Sequence, residues 1–251
     1  MQAAPPPDAL KDADAVVHLL GEPIAQRWSA RTKASIRDSR VLSTRLLVGA
    51  LRELPGESRP AVLVSQSATG FYGAGDDHEV DEGAPAGNDF LAGVVKAWEA
   101  EAIAAESLLR VVRTRSGVVL TPEGGALARM LPFFRAGVGG PVAGGRQYVP
   151  WIHLDDVVSG LRFALGESRA AGAVNLTAPN PVTNAEFSRA LGRALHRPAV
   201  APVPALALRL LYGEMAQVVV TGARVVPRRL QELGFAFRHQ LIEAALSDVL
   251  S

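Results

Sequence analysis

The chain has 251 residues, is 48% hydrophobic and 20% charged, and carries a formal net charge of +1. That apolar content can bury a large core, which excludes disordered chains and small stapled scaffolds, and the near-neutral charge argues against a nucleic-acid binder. Cysteine is absent, so there is no disulfide framework, thiolate metal site or cysteine nucleophile.

Residues Met1 to Pro7 lack the basic-then-apolar pattern of a secretory signal. The longest strongly apolar run, Pro198 to Leu208, is too short to span a bilayer. A cytoplasmic protein without membrane contact is therefore expected. Asp14 to Gly21 reads as a buried parallel strand closed by glycine. Ser29 can cap a helix carrying Ile36, Leu42, Leu46, Leu47, Ala50 and Leu51 on one side, which Pro55-Gly56 breaks. Ala61 to Ser65 is a second strand, running into Ser67, Ala68 and Thr69. Asp89 opens another helix, with Phe90, Val94, Trp98 and Ala102 on one face. Leu108 to Val112 makes a third strand, which Gly117 to Leu120 extends or follows with a fourth.

Strands alternating with helices at this spacing imply crossover units and a parallel sheet. Residues 61–65 and 108–112 should be neighbouring parallel strands, with helices 29–54 and 89–106 packed on them. The second half changes character. Residues 124–148 are rich in glycine, proline and aromatics, and Asp155 looks like the cap of a helix ending near Gly166. Ala173 to Leu176 is a short strand. Thr183 and Glu186 have capping-box spacing before a helix to Leu195, and further helices run through Leu210 and from about Gln240 to Leu250.

Five strings stand in order along the chain: His18 to Ile24, Ser65 to Gly73, Trp98 to Ala102, Arg115 to Leu120 and Trp151 to Asp156. With them the chain resembles an atypical extended short-chain dehydrogenase/reductase, of the group described as nucleoside-diphosphate-sugar epimerase-like proteins. Gly213-Glu214-Met215 and Gly234 to Phe237 resemble the domain that closes that group, some members of which carry a cell-division-inhibitor label. The resemblance implies an α/β fold: an N-terminally truncated Rossmann-type parallel sheet with a smaller C-terminal substrate lobe. Residues 1–121, joined by 149–178, would form the cofactor domain, and 122–148 with 179–251 the lobe.

The family begins with a strand, a Gly-x-x-Gly-x-x-Gly turn and a helix that binds the dinucleotide pyrophosphate. By this resemblance the chain starts after that unit, lacking roughly fifty residues, more than the ~30 of one βαβ unit. Gly70, Gly73 and Gly75 have similar spacing, but Asp76, Asp77 and Glu79 follow and would repel phosphates. The family's acid/base pair, a tyrosine and a lysine four apart, is also missing, because Asp76, Ile152 and Ala216 stand four residues after Tyr72, Tyr148 and Tyr212.

The resemblance implies reversible hydride transfer with NADP (or NAD), which this chain should bind weakly. Ser67 would orient the reacting oxygen, opening into the crevice at the carboxyl end of its strand. Tyr72 is the one tyrosine placed to act as acid/base. Leu20, Gly21, Ser65 and Ser67 would meet the cofactor. Arg146 is a candidate contact for the phosphates of a nucleotide sugar. Glu99 could face the cleft, although a solvated face is the first expectation for it and Glu101. His153 and Asp155 are read as packing and capping. The five histidines show no metal-ligand spacing, so no metal is assigned. Expected partners are a small-molecule substrate, with a nucleotide sugar as one candidate, and a second copy in a homodimer. Two other readings stand beside the enzyme: a regulatory protein that senses the cofactor without turnover, and an inactive fragment.

Overall fold

The computed structural model describes residues 4–251. The first apolar run becomes β1 (Ala15–His18), and Ser29 caps α1 (Ala30–Glu53) by accepting the Thr32 backbone N–H. Next come β2 (Val62–Ala68), β3 (Glu79–Val80) and α2 (Phe90–Ile103), which Asp89 caps. β4 (Arg110–Ser116) and β5 (Val118–Leu120) flank Gly117. After them stand α3 (Gly125–Arg135), β6 (Tyr148–Val149), β7 (Trp151–His153), α4 (Leu154–Gly166) and β8 (Gly172–Leu176). The rest is β9 (Val182–Thr183), α5 (Asn184–Ala194), α6 (Ala205–Tyr212), α7 (Ala216–Val220), β10 (Arg224–Val225), α8 (Arg228–Glu232) and α9 (Ile242–Val249).

Four strands pair in parallel in the order β1-β2-β4-β8. The expected neighbours pair in register Val62↔Arg110, and β4 runs on to Ser116, past the expected end of the strand. Residues 118–120 do not prolong it; β5 pairs with β7 in a parallel pair of its own. The period of two sorts the side chains to opposite faces. Leu63 and Val111 pack with Leu47 and Leu51 of α1 and Ala102 of α2. Val62, Val64, Val112, Val174 and Leu176 take the other face, under Ala164 of α4, Leu230 of α8 and Phe237. Burial on both faces is why these strands read as apolar runs rather than alternating ones. The expected α/β fold with a Rossmann-type parallel sheet is the one that forms.

A second core surrounds the β5–β7 pair, where Leu120 and Trp151 meet Leu131 of α3, Phe187 and Leu191 of α5, and Ile242 and Leu246 of α9. Two local readings need correction, at Asp155 and at Leu42. Asp155 does not cap α4; His153 does, with its side chain accepting the Asp155 backbone N–H. Residues 124–148 contain α3, which their glycine and proline content concealed and which carries Pro132 inside it. Leu42 of α1 lies exposed rather than on the packed side. Thr183 and Glu186 make the full capping box at α5. Among the described residues no helix is long and apolar enough to cross a membrane.

Candidate functional site

The carboxyl ends of β2 and β4 carry a buried polar network. Counting by twos from Leu63 and Val111 puts Ser65 and Ser67 of β2, and Arg113 and Arg115 of β4, on the face covered by α2. Glu99 stands one turn after Val95 and three residues before Ala102, so α2 turns its carboxylate inward, toward the strand ends. Glu99 Oε1 accepts the Ser67 hydroxyl at 2.6 Å and Arg115 Nε at 2.7 Å. Oε2 accepts Arg115 Nη2 and Arg113 Nη1, each at 2.9 Å. The expectation of a solvated Glu99 is therefore wrong: the carboxylate is buried.

The network continues across the strand ends. Arg115 Nη1 donates to the Tyr72 hydroxyl at 2.9 Å, and that hydroxyl donates to Asn175 Oδ1 at 2.6 Å. Asn175 donates its amide to the Val226 carbonyl and its backbone N–H to Glu82. The Arg115 guanidinium also lies 3.5 Å from the centre of the Phe71 ring. Burial pushes the Tyr72 phenol up to about 12, with the Arg115 charge and hydrogen bond working against it. Burial also pushes Glu99 up, but the hydrogen bonds from Arg115 and Ser67 outweigh it and hold the carboxyl below its usual range. Burial raises Glu82.

This geometry corrects two expectations. Ser67 is buried, not open to a crevice, and its one proton is spent on Glu99. Tyr72 is buried with its donor and one acceptor position taken, so its phenol is not poised to move a proton. We expect Tyr72→Phe to leave Asn175 and Arg115 each a partner short and to cost about 1–3 kcal/mol. A urea unfolding midpoint equal to that of the wild type would contradict this.

The other candidates lie apart. Ser65 is buried beside His18 in the β1–β2 register. Leu19 and Leu20, 55% and 42% exposed, open the carboxyl end of β1. A Cβ on Gly21 would lie 2.9 Å from the Arg40 guanidinium, whose Nη1 donates to the Glu22 and Ile36 carbonyls. The missing side chain lets that cation close over the turn. Arg146 lines a different cavity, of about 280 Å³, with Asp76, Asp77, Tyr148, Thr221 and Gly222. Two carboxylates there oppose the expected phosphate contact. The mouth near β1 is tied to the C-terminal segment, where Arg27 donates to the Leu210 carbonyl at 3.2 Å and Lys33 pairs with Glu214. Sequence reasoning missed Arg113, Arg115, Asn175 and Glu82. Only the arginines left a signal, two residues apart on a strand facing a helix that carries a carboxylate.

The NAD dependent epimerase/dehydratase family matches residues 7–177, and a domain of unknown function, DUF1731, matches residues 203–249. The chain is 43% identical over 243 residues to the chloroplastic epimerase family protein SDR39U1 homolog of Arabidopsis thaliana, covering 97% of this chain and 70% of that protein. It is 46% identical to the epimerase family protein MT2273 of Mycobacterium tuberculosis, over 96% of this chain and 79% of the relative. A crystal structure of human epimerase family protein SDR39U1 with NADPH superposes with a TM-score of 0.91 at 35% identity, covering 96% of this chain and 83% of that one. A cell-division label appears in none of these names, and the expectation of an N-terminally truncated chain finds no support in these matches.

Proposed function

The chain belongs to the NAD-dependent epimerase/dehydratase family, and on that premise we propose that it is an NAD(P)-linked oxidoreductase or epimerase-type protein acting by hydride transfer at a secondary alcohol or sugar carbon. The observation that carries this reading is the parallel sheet whose β1 leaves Leu19, Leu20 and Gly21 exposed just past its carboxyl end, the end of the strands beyond which such sheets bind ligands. NADPH accompanies the human relative.

The residues present suit the nicotinamide half of such a cofactor. Leu19 and Leu20 offer an apolar bed, while the Arg40 guanidinium closes over Gly21 beside them. When bound, the cofactor would supply or accept the hydride. Its pyrophosphate finds no cradle among the described residues. Gly75 packs against Ala223, and the segment after it enters β3 rather than a helix. Ser67 enters this reading as a group held by Glu99 and Tyr72 as a buried partner of Arg115, while Arg146 stays outside it, in a cavity where Asp76 and Asp77 oppose an anion. The cofactor domain would comprise 1–121 with 149–178, and the substrate lobe the remainder.

Saturation-transfer NMR with NADPH tests the reading. Transfer to the nicotinamide protons is expected, with an affinity weaker than millimolar. No transfer at all would remove the functional reading, and micromolar binding would show that other residues hold the phosphates. The closed Ser67–Glu99–Arg115–Tyr72 network favours a second reading, a protein that senses the cofactor without turnover.

A further inference from the structure

Away from the sheet's polar network, two histidines meet that lie 86 residues apart in sequence (239 − 153). His153 ends β7 and His239 precedes α9; their rings stack with centres 3.7 Å apart and planes 20° from parallel. Both are more than nine-tenths buried, and each has a buried Nε2 without a hydrogen-bond partner. Asp248, in the last turn of α9, brings Oδ2 to 3.2 Å from His153 Nε2, off the line of a good hydrogen bond.

The three side chains could be taken for a metal site, but the tautomer argues otherwise. His153 Nδ1 accepts the Asp155 backbone N–H at 3.0 Å, so in the neutral ring the proton sits on Nε2, the atom a metal would need bare. Face-to-face rings also do not point their nitrogens at one centre. What the arrangement controls is a proton.

We propose that His153 and His239, with Asp248 beside them, form an acid-sensitive latch that holds the start of α4 to the 238–239 segment at neutral pH and releases it on acidification. A second proton on His153 must go to Nδ1, where it would meet the Asp155 N–H head-on and destroy the cap of α4. The resulting imidazolium would lie against the His239 ring, so the stack tolerates charge poorly. From α4, Asp155 is turned to Arg238, and Asp156 accepts the backbone N–H groups of Arg238 and His239. From α9, Asp248 faces the pair.

These carboxylates favour the charged ring, but burial first and His239 second outweigh them and lower the His153 pKa. A folded-state value below the ordinary ~6.5 means that the unfolded chain binds more protons as pH drops through that value. Stability conferred by the neutral ring is therefore present above about pH 6.5 and lost below it. His18 is shifted the same way by burial, but it sits in β1, far from both segments in sequence, and its effect falls on other amides.

Hydrogen exchange of the full chain tests the latch. After correction for intrinsic rates, the amides of Asp155, Arg238 and His239 should lose severalfold protection, up to about tenfold, between pH 7.5 and 5.5, ahead of those in β2 and β4. His153→Asn keeps a capping oxygen that does not titrate and should flatten this dependence. If that variant does not fold, His239→Phe, which keeps a stacked ring without its charge, should move the opening to lower pH. Equal protection at both pH values in the wild type would overturn the latch, as would an unchanged pH profile in the variants. Stoichiometric binding of zinc that His153→Asn abolishes would replace the latch with a metal site.

Discussion

Replacing Glu99 by glutamine is expected to cost about 3–5 kcal/mol, the loss that follows when one partner of a buried ion pair is removed. The carboxylate is 4% exposed and accepts four hydrogen bonds, three of them from guanidinium groups of Arg113 and Arg115. An amide keeps the shape but leaves two cations, one of them fully enclosed, facing a neutral group. For a chain of this size the melting midpoint should fall by roughly 10 °C. The sign of the pH effect agrees. A folded-state carboxyl below its usual range stabilises above the unfolded value of about 4.3, and that contribution is lost as pH falls through the lower folded value. A variant melting within two or three degrees of the wild type would show that water or rearranged neighbours already satisfy the arginines.

The second large effect is expected at Gly222. A Cβ there would collide with the backbone carbonyl oxygen of Tyr148, and since neither atom moves with a side-chain torsion, no rotation relieves it. The Gly222 carbonyl also accepts the Gly75 N–H, and both glycines line the cavity that Arg146 enters. Gly222→Ala should therefore separate the 74–77 and 146–148 segments, at about 3 kcal/mol, the upper end of ordinary overpacking. Gly49→Ala is the matched control. It lies mid-helix with nothing within 4 Å of the added carbon, and it should stabilise by about 0.5–1 kcal/mol. If denaturant midpoints move alike for both, the close approach of Gly222 to Tyr148 is not real.

Much of the sheet was legible because its physics is local. Ala61 to Ser65 and Leu108 to Val112 are mostly apolar runs of strand length, and Ser29, Asp89 and Thr183 announce their helices through capping chemistry. The site was less legible because its partners are distant in sequence and break the usual rule for charge. A glutamate on a helix is ordinarily solvated, and only the positions of Val95 and Ala102 mark Glu99 as inward. Tyr72 could not be judged until Asn175, 103 residues later, was seen to take its proton. Gly117 hid a change of partner: from it the chain leaves β8 and pairs with β7, which no periodicity in residues 110–120 reports.

The face of the main sheet formed by Val62, Val64, Val112, Val174 and Leu176 is closed in part by Leu230, Leu233 and Phe237. A ribosome making this chain therefore finishes all four strands some sixty residues before the last piece of their cover exists (237 − 176 = 61). Synthesis at about 5–20 residues per second leaves that apolar face incomplete for several seconds. During that interval the nascent sheet is a natural client for a chaperone, and the 228–237 segment marks the point at which it ceases to be one.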